Sequence, residues 1–158
     1  MKSLISLLLL VLLAGSFVLG CRDDKADNKA NAMLHYTMIH ASSKLSEGEY
    51  LEAAHIANQA IGDYPDNPAF HEIAGEASFH LGQYGEAAGA FTRAIHCPHP
   101  GDKVKCCLFR GKSFVMLNKK VEAKRDLESC LEIAEKGSKE YNEASEVLEK
   151  LIGKTPGS

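Results

Sequence analysis

The stretch Pro68–Gly101, PAFHEIAGEASFHLGQYGEAAGAFTRAIHCPHPG, decides the fold because it recurs on both of its flanks. A shift of 34 residues toward the N-terminus lays Ile73 on Ile39, Gly82 on Gly48 and Tyr84 on Tyr50. The same shift lays Glu86-Ala87-Ala88 on Glu52-Ala53-Ala54, and Ala94-Ile95 on Ala60-Ile61. A shift of 36 toward the C-terminus lays Gly75 on Gly111, Ala87 on Ala123, Phe91 on Leu127 and Ile95 on Leu131. Small residues at fixed places and a period near 34 mark a solenoid of helical hairpins, in which each unit shelters its apolar side only against its neighbours.

These residues resemble the tetratricopeptide repeat. The resemblance implies an all-α, right-handed α-solenoid of three hairpin units, 34–67, 68–101 and 104–137, with a C-terminal capping helix at 138–152, the whole domain spanning 33–153. In the second unit Gly75 and Ala87 take the places where two helices cross, Gly82 the turn, and Phe91 and Ala94 the core. The first unit departs from the pattern with His40 and Lys44 where large apolar residues are usual, and the third has Asn118 at the turn glycine.

Local signals agree with these boundaries. Asn67 before Pro68 is a cap followed by a residue that needs no amide hydrogen, and Asp102 and Ser138 stand where the next helices begin. Gly48 and Gly82 suit a left-handed helix end, and Asn118 can adopt it at higher cost. Tyr141, Ala144, Val147, Leu148 and Leu151 give the cap an apolar stripe, and the tail 154–158 is expected to fray.

The N-terminus reads MKSLISLLLLVLLAGSFVLGC. One positive residue, an aliphatic run and a small-residue end make residues 1–20 a secretory signal. Val18-Leu19-Gly20-Cys21 resembles the lipobox of bacterial lipoproteins, which implies lipidation of Cys21 and cleavage before it. The three acyl chains that the resemblance implies would hold a membrane stably, as one would not. The alternative is an uncleaved anchor, since the 17 residues Leu4–Gly20 are just long enough to span a bilayer. Arg22 is not the aspartate that retains many lipoproteins in the inner membrane, so the expected location is the outer membrane, facing the periplasm. Residues 21–32 then form the lipidated cysteine and a flexible tether, because Arg22–Asn31 has no large apolar residue.

The whole chain has 158 residues and a net charge of −3. Beyond the first 20 residues it carries 17 basic and 21 acidic side chains, which offers nothing to nucleic acid. Cys97, Cys106, Cys107 and Cys130 are even in number, and export favours disulfides, with Cys97–Cys106 across the unit junction and Cys107–Cys130 within the third hairpin as candidates. For Cys107 and Cys130 the alternative is a pair of small buried hydrophobes. His96, Cys97, His99, Cys106 and Cys107 form the densest reactive cluster, but their spacing is irregular for zinc. No nucleophile motif, phosphate loop or His-Glu-x-x-His pair occurs, so no enzyme, metal site or cofactor is expected.

The resemblance places the first helix of each unit along a concave groove. It assigns to that groove His35, Met38 and Ser42, then Glu72, Glu76 and His80, then Lys105, Leu108, Lys112 and Met116. Relatives that grip a C-terminal carboxylate use Lys, Asn and Arg where this chain has Met38, Ser42, Glu72 and Ile73, so that clamp is not expected. The implied function is a membrane-anchored adaptor that binds a protein segment, as lipoproteins with these repeats do in envelope, pilus and secretion-system assembly. A metal-handling or thiol-redox role for the His96–Cys107 cluster is the alternative, and copies stacking end to end remain open.

Overall fold

The computed structural model describes residues 24–153, which form seven helices and no strand among them. In chain order these are α1 (Asp24–Ser46), α2 (Tyr50–Asp63), α3 (Pro68–His80), α4 (Tyr84–His96), α5 (Lys103–Met116), α6 (Lys120–Ile133) and α7 (Lys139–Leu151). The signal, the lipobox cysteine and the tail 154–158 lie outside the described residues. The chain divides into two compact units, Met1–Tyr36 and Thr37–Ser158, with the boundary inside α1.

In the first unit, residues 24–32 are helical where a flexible tether is expected. Asn28–Met33 are all exposed, so no buried apolar stripe lies along this part of α1. A segment without large apolar residues can still be helical.

The second unit is an α-solenoid of antiparallel hairpins. Each turn within a hairpin closes in the same way. The Glu49 amide donates to the Lys44 carbonyl at 2.9 Å, Gln83 to Ser78 at 2.9 Å and Lys119 to Phe114 at 2.8 Å. The residue before each donor is left-handed: Gly48 at φ 81°, Gly82 at 77° and Asn118 at 58°. Asn67, Asp102 and Ser138 cap α3, α5 and α7 by accepting from the amides of Ala69, Lys105 and Tyr141.

The core runs through three clusters. Ala41, Ala53, Ala57, Ile73, Ala74 and Ala77 make the first, where small side chains let helices approach closely. Ala87, Phe91, Ala94 and Cys106 make the second, backed by Phe79, Ile95 and Phe109. Leu108, Leu127, Cys130 and Ala144 make the third. Every cluster draws on two successive hairpins, or on the last hairpin and α7, so no hairpin buries its apolar side alone. The crossings are tight: a Cβ on Gly75 would lie 3.0 Å from the Phe91 ring, and one on Gly111 would lie 3.0 Å from Leu127 Cγ. Between α5 and α6, Arg110 donates Nε and Nη2 to the buried Asp126 at 2.6 and 2.8 Å, and Nη1 to the Thr92 hydroxyl of α4 at 3.2 Å. One paired cation thus ties three helices together.

Candidate functional site

Helices α3, α5 and α7 are joined side by side through charged residues. The carboxylate of Glu76 on α3 meets Nζ of Lys105 on α5 at 2.5 Å. Lys112, two turns along α5, donates to Glu143 on α7 at 2.5 Å. Both lysines are largely covered, at 31% and 20% side-chain exposure, so water screens these pairs less than it would on an open surface.

An aromatic floor adjoins these pairs. Phe79 and Phe109 meet edge to face at 5.4 Å, and Phe91 stacks beneath Phe109 at 5.7 Å. Nζ of Lys112 stands 4.9 Å from the Phe79 centroid and 4.6 Å from that of Phe109. His80 stacks on Tyr50 at 4.4 Å with the rings only 10° from parallel. At the other end Glu72 accepts from the Asp102 amide at 2.9 Å. Gly101 makes that reach possible, since a Cβ there would lie 1.7 Å from the Glu72 carboxylate oxygen. Burial pushes the Glu72 carboxyl above its ordinary range, and the Asp102 amide and Lys105 oppose this only in part.

Of the ten residues assigned to the groove, Glu72, Glu76, Lys105, Lys112 and His80 come together in this way. Met116 ends α5 and is 56% exposed, Ser42 is exposed and Met38 is half-buried. His35 is exposed and falls in the first compact unit. Leu108 is a correction: it is 2% exposed and packs with Leu127, Cys130 and Ala144, because its side of α5 faces α6 and α7. Phe79 and Phe109 were missed. The period does point to Phe109, since the shifts of 34 and 36 that pair Ile39 with Ile73 carry on to Phe109.

The cysteines also need correction. Cys97, Cys106, Cys107 and Cys130 are free thiols, so neither expected disulfide is present. Cys106 packs with Phe91 and Ala94, Cys130 packs with Leu108 and Leu127, and the Cys130 thiol points to the Val104 carbonyl at 3.7 Å. Burial pushes the Cys106 thiol up to about 12 and that of Cys130 to about 11. The thiols therefore stay protonated and behave as small hydrophobes, the alternative that the sequence left open for Cys107 and Cys130. Nearby, His96 turns back to the Thr92 carbonyl at 2.7 Å, and His99 lies in a loop cleft beside Tyr64 and Pro65. Among the described residues no group of three or more His, Cys, Asp or Glu is placed to hold a metal.

Known proteins share this fold. The tetratricopeptide repeat family model matches residues 40–102. The first such domain of human RPAP3 is 24% identical with a TM-score of 0.65, over 77% of this chain and 91% of that one. The second domain of human RPAP3, in complex with the HSP70 peptide SGPTIEEVD, is 27% identical with a TM-score of 0.65, over 75% and 98%. The first such domain of Spaghetti (RPAP3), bound to the HSP90 peptide SRMEEVD, is 24% identical with a TM-score of 0.67, over 76% and 90%. No curated protein sequence matches this chain. The likeness establishes tetratricopeptide-like repeats stacked as an α-solenoid.

Proposed function

We propose that this protein is a lipid-anchored, periplasm-facing adaptor that holds a segment of another protein in the groove floored by Phe79 and Phe109. The observation that carries the reading is that floor itself: partly covered aromatic rings and a stacked Tyr50–His80 pair bordering ion pairs across α3, α5 and α7. Two similar domains hold peptides, which supports a peptide or helix as the ligand class here. Their peptides end in EEVD. In this chain Lys105 and Lys112 are already engaged by Glu76 and Glu143, so an acidic end would have to displace a carboxylate to gain a cation. The segment held here is therefore anchored by apolar or aromatic side chains against the rings, with polar groups meeting an already neutralised wall.

Anchoring is supported by the lipobox-like Val18-Leu19-Gly20-Cys21, and tethering would raise the local concentration of the bound protein at the membrane. A photoreactive residue at His80 in cells tests the groove. Expected is a discrete protein adduct that weakens when Phe109→Ala is added and that the same probe at the exposed His55 of α2 does not give. An adduct indifferent to Phe109, or equal from both positions, overturns the groove reading. Cys21→Ser tests the anchor separately: the chain should leave the membrane fraction, and unchanged fractionation overturns lipidation.

A further inference from the structure

The last hairpin ends in a second apolar cleft that the groove does not use. Val121, on the first turn of α6, is 81% exposed, and Ile152, at the end of α7, is 47% exposed. With Leu151 they floor an open cleft of about 480 Å³ whose rim carries Lys120, Lys124 and Arg125 against the single carboxylate of Glu128. A second cleft of about 400 Å³, floored by Val115 and Val147, shares Lys120 and Leu151 with the first and adds Lys150 to the rim.

Two observations indicate what fits there. The first is charge. Lys124 pairs with Glu128 at 3.6 Å and Lys150 with Glu146 at 2.6 Å. Among the described residues Lys120 and Arg125 have no ion-pair partner, so the rim carries uncompensated positive charge although the whole chain is at −3. The second is the stacking pattern. Helices α3 and α5 are each followed by an antiparallel helix that packs on them, whereas among the described residues α7 has none. Val121 and Ile152 thus present apolar side chains beside cations that no carboxylate among the described residues pairs.

We propose that this end of the solenoid is a second docking surface, which receives an amphipathic helix with an acidic edge from another protein. Its apolar stripe would cover Val121, Leu151 and Ile152, and its carboxylates would face Lys120 and Arg125. The surface shares no residue with the Phe79–Phe109 groove, so one adaptor could hold two proteins at once.

The test uses the full chain in neutral detergent micelles and a fluorescent designed helix of about 18 residues with a Leu/Ala stripe edged by glutamates. Its control carries the same stripe edged by lysines. Expected is saturable binding of the acidic helix, about tenfold tighter than the control and weakening as salt rises. Val121→Asp, a change at an exposed site that leaves helicity intact, should weaken it by about tenfold or more. K120E/R125E should reverse the preference between the two helices. Four outcomes overturn the proposal: equal binding of both helices, indifference to Val121→Asp, uptake by vesicles containing anionic lipid through Lys120 and Arg125 with no helix bound, or self-association that Val121→Asp abolishes.

Discussion

Gly75 and Gly89 show how one residue type carries two meanings. A Cβ at Gly75 would press on three Phe91 ring atoms at 3.0–3.1 Å, whereas at Gly89 the nearest atom is Arg93 Nη1 at 3.7 Å. Replacing a mid-helix glycine by alanine yields about 0.5–1 kcal/mol of helix preference, while overpacking costs about 1–3 kcal/mol. Gly89→Ala should therefore raise the melting temperature and Gly75→Ala should lower it, as thermal denaturation followed by circular dichroism will show. Glu72 supplies a pH signature. Folding favours its protonated form, because burial raises its carboxyl above the unfolded value. That contribution is present below the unfolded pKa and is lost as pH rises through the folded one. Glu72→Gln removes the loss, so its stability relative to wild type should improve as pH rises above the ordinary carboxylate range in denaturant titrations. A difference that is flat with pH would show that Glu72 is not buried as described. The buried thiols make a third residue-scale prediction: in the folded chain at pH 8 Cys106 and Cys130 should resist alkylation, and unfolding should expose both.

At the scale of the element, the sequence was most legible where chemistry is local. The caps at Asn67, Asp102 and Ser138 and the left-handed Gly48, Gly82 and Asn118 depend on bonds only a few residues long, and each could be read from its neighbours. Asp102→Ala should cost about 1 kcal/mol by leaving the Lys105 amide without its acceptor. Asn118→Gly should gain a few tenths of a kcal/mol up to about 1 kcal/mol, since φ 58° costs asparagine more than glycine. Both are read from urea midpoints. Legibility failed where an element's surroundings decide. Leu108 lies at a position that the repeat resemblance assigns to the groove, yet its side of α5 is roofed by α6 and α7. Residues 24–32 carry no large apolar side chain and read as a flexible tether, yet they lie within α1.

At the scale of the molecule, the period near 34 was enough to give the stacked hairpins, because sequence repetition and structural repetition are the same fact in a solenoid. The electrostatics of the groove were not legible. Glu76 and Lys105 are 29 positions apart, Lys112 and Glu143 are 31 apart, and nothing in either neighbourhood announces the pairing. A reading by charge alone gives an acidic middle and a basic end. The structure instead pairs Lys105 with Glu76 and Lys112 with Glu143 within the protein. The most direct test is calorimetric titration of the full chain in detergent micelles with the acidic peptide SRMEEVD. Wild type should bind weakly, while E76Q/E143Q, with Lys105 and Lys112 released, should bind at least about tenfold more tightly. Wild-type binding as tight as that of the double variant would contradict the account.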